Sequence, residues 1–239
     1  MMRGMKRFAR LPLVLAMVVS IGALRAADAP LHFLPPAAIN FKAILPPPPA
    51  AGTLAALGDL ESVLQAQTAR TPAEIAWAKF VERDNAFNHA SVLGAWFSRE
   101  KLPVTEQFLR EVSDDMYAVS RGAKGVFPRP RPFLVDPAIK PCVDRPDSGS
   151  YPSGHSMQAF VWAMVLGDIF PEQQPALLER AHQAAWGRVL GGVHFPTDLV
   201  GGRLLAEAIV AELRKNPAYQ AGVEKCRAEA APFLMKKAA

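Results

Sequence analysis

The sequence predicts an all-α protein: a single-domain helical bundle preceded by an extended, proline-rich N-terminal arm. Three observations carry that expectation. From Leu54 onward apolar residues recur at three- and four-residue spacing, strand-like alternation is hard to find, and proline stands repeatedly where a helix would begin. A chain of 239 residues, half of them apolar, can bury one sizeable core, so one domain is expected over residues 54–239.

Residues 1–26 read as a signal peptide. Arg3, Lys6, Arg7 and Arg10 form a basic start, an apolar run follows over residues 11–24, and small residues come next at Ala26 and Ala27. The run is shorter than the roughly 20 residues a membrane-spanning helix needs. Cleavage near Ala26, a periplasmic or secreted product and no stable membrane insertion are therefore expected, in preference to an uncleaved anchor. Five of the 27 Lys and Arg lie in this segment and none of the 22 acids do, so the rest of the chain is balanced in charge. The sequence pI of 9.4 thus belongs to the signal, and no general positive field for a nucleic-acid polymer remains.

The arm, residues 27–53, contains Pro46-Pro47-Pro48-Pro49, which can form neither helix interior nor strand ladder. Helices are expected over residues 54–69, 72–99, 104–123, 152–170, 175–190, 196–215 and 219–234. Between the third and fourth lies a long loop, 124–151, dense in Pro, Arg and Asp; such loops inside compact domains are usually functional. No internal repeat is visible. Cys142 and Cys226 are the only cysteines, and an oxidising compartment would let them pair. That bond would stabilise the fold by roughly 4 kcal/mol on the chain-entropy model. The alternative is two buried free thiols.

Three clusters, far apart in sequence, each offer part of a site for a small tetrahedral anion. The loop opens with Lys124-Gly125-Val126-Phe127-Pro128-Arg129-Pro130-Arg131-Pro132, where prolines stiffen the backbone around permanent cations. Arg presents a planar fork to such an anion and Lys a point charge. Alone, the run could equally be solvated surface.

The second cluster is Tyr151-Pro152-Ser153-Gly154-His155, followed by an apolar helix that Pro152 is expected to start. Free amides in a first helical turn, with the positive end of the helix dipole, attract anions, and Gly154 would let an oxygen approach closely. His155 at the rim could give a proton to a leaving oxygen. The plain alternative is a helix start with a surface histidine.

In the third, Arg188-Val189-Leu190-Gly191-Gly192-Val193-His194-Phe195-Pro196-Thr197-Asp198, Pro196 should open a helix. His194 then lies just before it and Asp198 in its first turn, where the carboxylate can accept a hydrogen bond from one imidazole nitrogen and aim the other. Asp198 could instead serve only the helix dipole, and His194 could be a satisfied buried imidazole. Convergence of the three clusters outweighs these separate alternatives.

These residues resemble the type 2 phosphatidic acid phosphatase superfamily and, within it, the class A bacterial non-specific acid phosphatases. That family's pattern is Lys, six residues, Arg-Pro; then Pro-Ser-Gly-His; then Ser-Arg, five residues, His, three residues, Asp. Lys124, Arg131-Pro132, Pro152 to His155, Arg188, His194 and Asp198 stand at the same spacings. One departure is Gly187, where the family has Ser, and it is expected to bear on rate or substrate range more than on reaction class.

The resemblance implies that Lys124, Arg131, Ser153, Gly154 and Arg188 hold phosphate oxygens. It implies that His194 is the nucleophile of a phosphohistidine intermediate, His155 the proton donor and Asp198 the orienter. It further implies small phosphomonoester substrates of broad range, phosphotransfer where an alcohol replaces water, no cofactor, and at least a dimer. No metal is expected either, because Lys124, Arg131 and Arg188 would repel a divalent cation and no zinc-type Cys/His cluster is present. The rivals are a vanadate-dependent haloperoxidase, which shares this pocket in the wider superfamily, a lipid phosphatase, and a non-catalytic phosphate-binding or proline-docking protein. His32, His89 and His182 have no assigned role.

Overall fold

The computed structural model describes residues 31–35 and 38–238, so the signal peptide expected over residues 1–26 lies outside the described residues. The fold is all-α. Among the described residues ten α-helices follow in order: α1 Phe41–Ile44, α2 Leu54–Ala69, α3 Pro72–Glu82, α4 Ala90–Leu93, α5 Pro103–Lys124, α6 Pro132–Val135, α7 Gly154–Ile169, α8 Gln174–Leu190, α9 Pro196–Leu213 and α10 Pro217–Ala238. Thr71 starts α3 with a capping box, its side chain accepting from Glu74 N–H while the Glu74 carboxylate accepts from Thr71 N–H.

The centre of the bundle is α7. It is buried nearly all round, including Met157, Phe160, Val161, Trp162, Val165 and Leu166, as a helix apolar on every side must be. It packs chiefly against α8 and α9, α3 lies on α8, and α10 lies on α5. Each fully buried Leu or Met in these contacts contributes about 1.5–3 kcal/mol. Gly202 of α9 makes one contact possible: a Cβ there would meet Ser153 O at 2.5 Å and Met157 N at 2.9 Å, so only glycine lets α9 touch the first turn of α7.

The arm is bound to the bundle. Asp115 of α5, wholly buried, accepts from the backbone N–H groups of His32, Phe33 and Leu34 at 2.7, 2.8 and 2.9 Å. Tyr151 Oη donates to Pro46 O in the tetraproline run at 2.7 Å.

Several expectations need correction. The helix expected over residues 72–99 is broken after Glu82: the chain turns through residues 83–85, forms a 3₁₀ turn at Ala86–His89 and continues as the short α4. The arm and the long loop each contain one helical turn, α1 and α6. Pro152 does not open α7; it precedes the N-cap, Ser153, whose hydroxyl accepts from Ser156 N–H at 3.3 Å. The two cysteines are free thiols. Cys142 faces Leu190 O at the end of α8, whereas Cys226 is buried in α10 with its thiol on Thr105 of α5, a different contact of the bundle.

Candidate active site

Three segments meet at the N-terminus of α7. The last residue of α5 is Lys124, whose Nζ donates to Gly149 O at 2.9 Å and Pro152 O at 2.7 Å, tying it to the segment that enters α7. Arg131, 3% exposed, donates from Nε to Ser148 O at 2.9 Å and from Nη1 to Val193 O at 2.8 Å. The same Nη1 lies 2.9 Å from His194 Nε2. A guanidinium can only donate, so Nε2 is the unprotonated nitrogen of that ring. His194 Nδ1 then carries the hydrogen and donates it to Asp198 Oδ2 at 3.2 Å.

Arg188 completes the cluster differently. It is 1% exposed, and its Nε and Nη1 have no hydrogen-bond partner among the described residues. Glu82 Oε1 stands 3.9 Å from Nη1, beyond hydrogen-bond reach. A buried guanidinium with empty donors is costly unless something fills them. Ser153 is buried at the N-cap of α7, and its own N–H donates to Asp198 O at 3.0 Å. Gly154 and His155 are the first two residues of α7, so their N–H groups have no carbonyl one turn back to bond.

The electrostatics bring the clusters together. Burial lowers Lys124 to about 8 and Arg131 to about 10; Arg131 presses further on Lys124, and Arg188 on Arg131. Burial lowers His155 to about 4, with the charges of Arg188, Arg131 and Lys124 adding to it. Burial also takes His194 down to about 3, against the opposing pull of Asp198. Both rings are therefore neutral near pH 7. Burial alone would raise Asp198, but hydrogen bonds from His194 and Ser150 and the charge of Arg129 hold it ionised. An arriving phosphate would relieve the repulsion among three cations and reverse the depression of His155.

His155 Nε2 donates to the backbone carbonyl of Glu82 at 3.1 Å. A carbonyl only accepts, so Nε2 holds a hydrogen and Nδ1 is the nitrogen left to exchange protons.

Several residues that bear on the site were not singled out from the sequence. Arg129 donates from Nη1 to Asp198 Oδ1 at 2.6 Å and from Nη2 to Asp59 Oδ2 at 2.7 Å, and lies over the Phe195 ring at 4.1 Å. Ser150 Oγ donates to Asp198 Oδ2 at 2.5 Å. Phe195 N–H donates to the same oxygen, so Asp198 both caps α9 and orients His194. In the sequence, Arg129 is visible only as one more cation of the basic, proline-rich run that opens the long loop. Asp59 on α2 carries no signal, because its partners are 70 and 138 residues away.

The departure at Gly187 has a steric setting. A Cβ there would lie 2.6 Å from Val81 Cγ2 and 3.5 Å from the Trp77 ring, so the position faces α3. Among the described residues no group of three or more His, Cys, Asp and Glu converges as a metal site, and no helix is long and apolar enough to cross a membrane.

Residues 116–220 match the PAP2 superfamily. The chain is 30% identical over 207 residues to a protein of Providencia stuartii named non-specific acid phosphatase, covering 80% of this chain and 81% of that one. It is 28% identical over 233 residues to a protein of the same name from Salmonella typhimurium strain LT2, covering 92% and 89%. In fold it resembles the crystal structure described as the first bacterial vanadium-dependent iodoperoxidase, with a TM-score of 0.58 and 19% identity. That likeness, over 75% of this chain and 53% of the other, is one of fold alone.

Proposed function

We propose, since the chain belongs to the PAP2 superfamily, that it is an acid phosphatase that hydrolyses small phosphomonoesters through a phosphohistidine on His194. The observation that carries this reading is Arg188: a buried guanidinium with two unpartnered donors, in a cluster with Lys124 and with Arg131, whose Nη1 meets the unprotonated Nε2 of His194. The relatives named as acid phosphatases support the reaction class.

The chemistry follows from those positions. Phosphate oxygens take the donors of Arg188, Lys124, Arg131 and the first-turn amides of α7, and Arg131 Nη1 moves from His194 Nε2 to an oxygen. Nε2 attacks phosphorus in line. The N–P bond forms as the ester P–O bond breaks, and the departing oxygen takes the proton from His155 Nδ1. Asp198 stabilises the positive charge that His194 acquires. Water then attacks phosphorus, gives a proton to His155 Nδ1, and the N–P bond breaks to return the lone pair. Charge stabilisation by three preorganised cations carries most of the burden, as phosphate-monoester hydrolysis demands.

The same positions support activity without a metal, since the cations supply the charge a metal would bring. A phosphoenzyme open to water also supports transfer to an alcohol. Export to the periplasm or medium after cleavage near Ala26, and assembly at least as a dimer, belong to the same proposal.

The test is turnover of p-nitrophenyl phosphate at mildly acidic pH with and without EDTA, and labelling with ³²P substrate followed by an alkaline quench, which preserves phosphohistidine. Label on His194 and EDTA-resistant turnover are expected. A His194→Ala protein that still turned over would overturn the assignment. Peroxide-driven halide oxidation with added vanadate, in place of phosphate release, would support the haloperoxidase reading.

A further inference from the structure

We propose that Asp84 and Arg180 are positioning residues for the proton donor: they fix the Glu82 carbonyl against His155, so that Nε2 keeps its hydrogen and Nδ1 serves the leaving oxygen. The inference rests on the reading of His155 as general acid. Neither residue bonds to Lys124, Arg131 or Arg188 among the described residues; their bonds go to the turn after α3.

Where α3 stops at Glu82, the chain turns and Asp84 is buried, its side chain 6% exposed and that of Arg180 4%. Arg180 Nη1 and Nη2 donate to Asp84 Oδ2 and Oδ1, both at 2.9 Å, a two-pronged contact that fixes direction as well as distance. Asn88 Nδ2 and Asn85 N–H donate to Oδ1 at 2.8 and 3.0 Å. On the other side, Gln158 Nε2 of α7 donates to Asp84 O at 3.1 Å. Gln158 stands three residues after His155, on the same face of α7, so the two side chains grip one short stretch: His155 at the carbonyl of Glu82, Gln158 at that of Asp84. Arg180 lies eight residues before Arg188 on α8, about 80° round the helix from it. The turn is thus braced by the helix of the donor and the helix of the phosphate-binding Arg188.

Net stability is a poor reason for such a pair. Burying two charges costs desolvation that their attraction roughly repays, and apolar residues of the same shape usually do as well. Direction is what the pair supplies.

The test separates positioning from bracing through the basicity of the leaving oxygen. A general acid matters for an alkoxide and hardly at all for 2,4-dinitrophenolate. In kcat/KM, which reports the step up to the phosphoenzyme, His155→Ala sets the reference pattern, with a loss of about 10²-fold or more on glycerol phosphate and little loss on 2,4-dinitrophenyl phosphate. Asp84→Asn is expected to reproduce the tilt, losing about tenfold on glycerol phosphate and less than about threefold on the dinitrophenyl ester. Equal losses on both esters would overturn the proposal and leave the pair a brace. Should Asp84→Asn fail to fold, Gln158→Met removes only the neutral bond to Asp84 O and is expected to tilt the same way to a smaller degree; no tilt overturns it. If His155→Ala itself shows no tilt, the general-acid reading fails first, and the two failures are told apart.

Discussion

Arg129 and Asp198 form the tightest ion pair around His194, with Nη1 2.6 Å from Oδ1 and side-chain exposures of 8% and 0%. The guanidinium also spans to Asp59, and the Thr197 hydroxyl donates to that same carboxylate, so the cation is shared between α2 and the start of α9. The carboxylate that bonds His194 is therefore fixed from behind by a residue at a position the family motif leaves unspecified.

Arg129→Gln is expected to leave two buried carboxylates uncompensated. Breaking a buried pair from one side typically costs about 3–5 kcal/mol. For a chain of this size that is a fall in Tm of about 6–20 °C, read by calorimetry. Turnover per folded molecule should fall as well, because the imidazole loses its firm support. Unchanged Tm and kcat would show that Arg129 is an ordinary loop cation.

The pH profile has a definite sign. On the proposed mechanism His194 attacks only when neutral, so kcat/KM should rise as pH climbs through about 3. His155 is held at about 4 in the empty site, so between pH 4 and 6 the free enzyme has no proton on it to give. The substrate monoanion must bring that proton, and a phosphoester loses it near pH 6. kcat/KM should thus fall above about pH 6, with a loss of about tenfold or more by pH 7.5. An upper limb near 8 would assign the proton to Lys124 instead.

Acid should weaken the fold while it favours the reaction. His89, His155 and His194 are lowered by burial to about 4, 4 and 3, while an unfolded histidine titrates near 6.5. Between those values the unfolded chain binds protons that the folded one refuses, so stability falls as pH is lowered from about 6.5 to 4. The slope is about 1.4 kcal/mol per pH unit for each such group. Urea unfolding at pH 7 and pH 5 reads it directly, and inorganic phosphate should lessen the loss by binding the cations. A flat profile would contradict the burial of these rings.

Gly187→Ser restores the residue of the family pattern but places a Cβ 2.6 Å from Val81 Cγ2 in a buried contact. Overpacking of this kind costs about 1–3 kcal/mol. Tm should fall by several degrees with kcat per folded molecule nearly kept, and adding Val81→Ala should recover part of the loss. A large change in kcat without a change in Tm would move the role of this position to the pocket.

The helices α2, α5, α7, α8 and α9 were legible within a few residues, because their apolar spacing is long and proline stands at or beside most of their starts. The break after Glu82 was not. Phe80 and Val81 are followed by Ala86 and Phe87 at helical spacing, and what interrupts them is tertiary: Asp84 is drawn to Arg180, 96 residues away. The site motifs were legible as residues but not as a geometry, since the partners of Asp198 come from Arg129 and Ser150 as well as from its own helix. The pairing of cysteines was read from their number and an exported context, and neither carries information on where α10 packs.

The glycine contact between α9 and α7 leaves no hinge between His194 and His155, since Gly202 rests on the backbone at Ser153. Their spacing is thus insulated from whatever happens at the surface. A side chain at Gly202 should push the two rings apart, whereas exchange of exposed residues between relatives should leave their placement untouched.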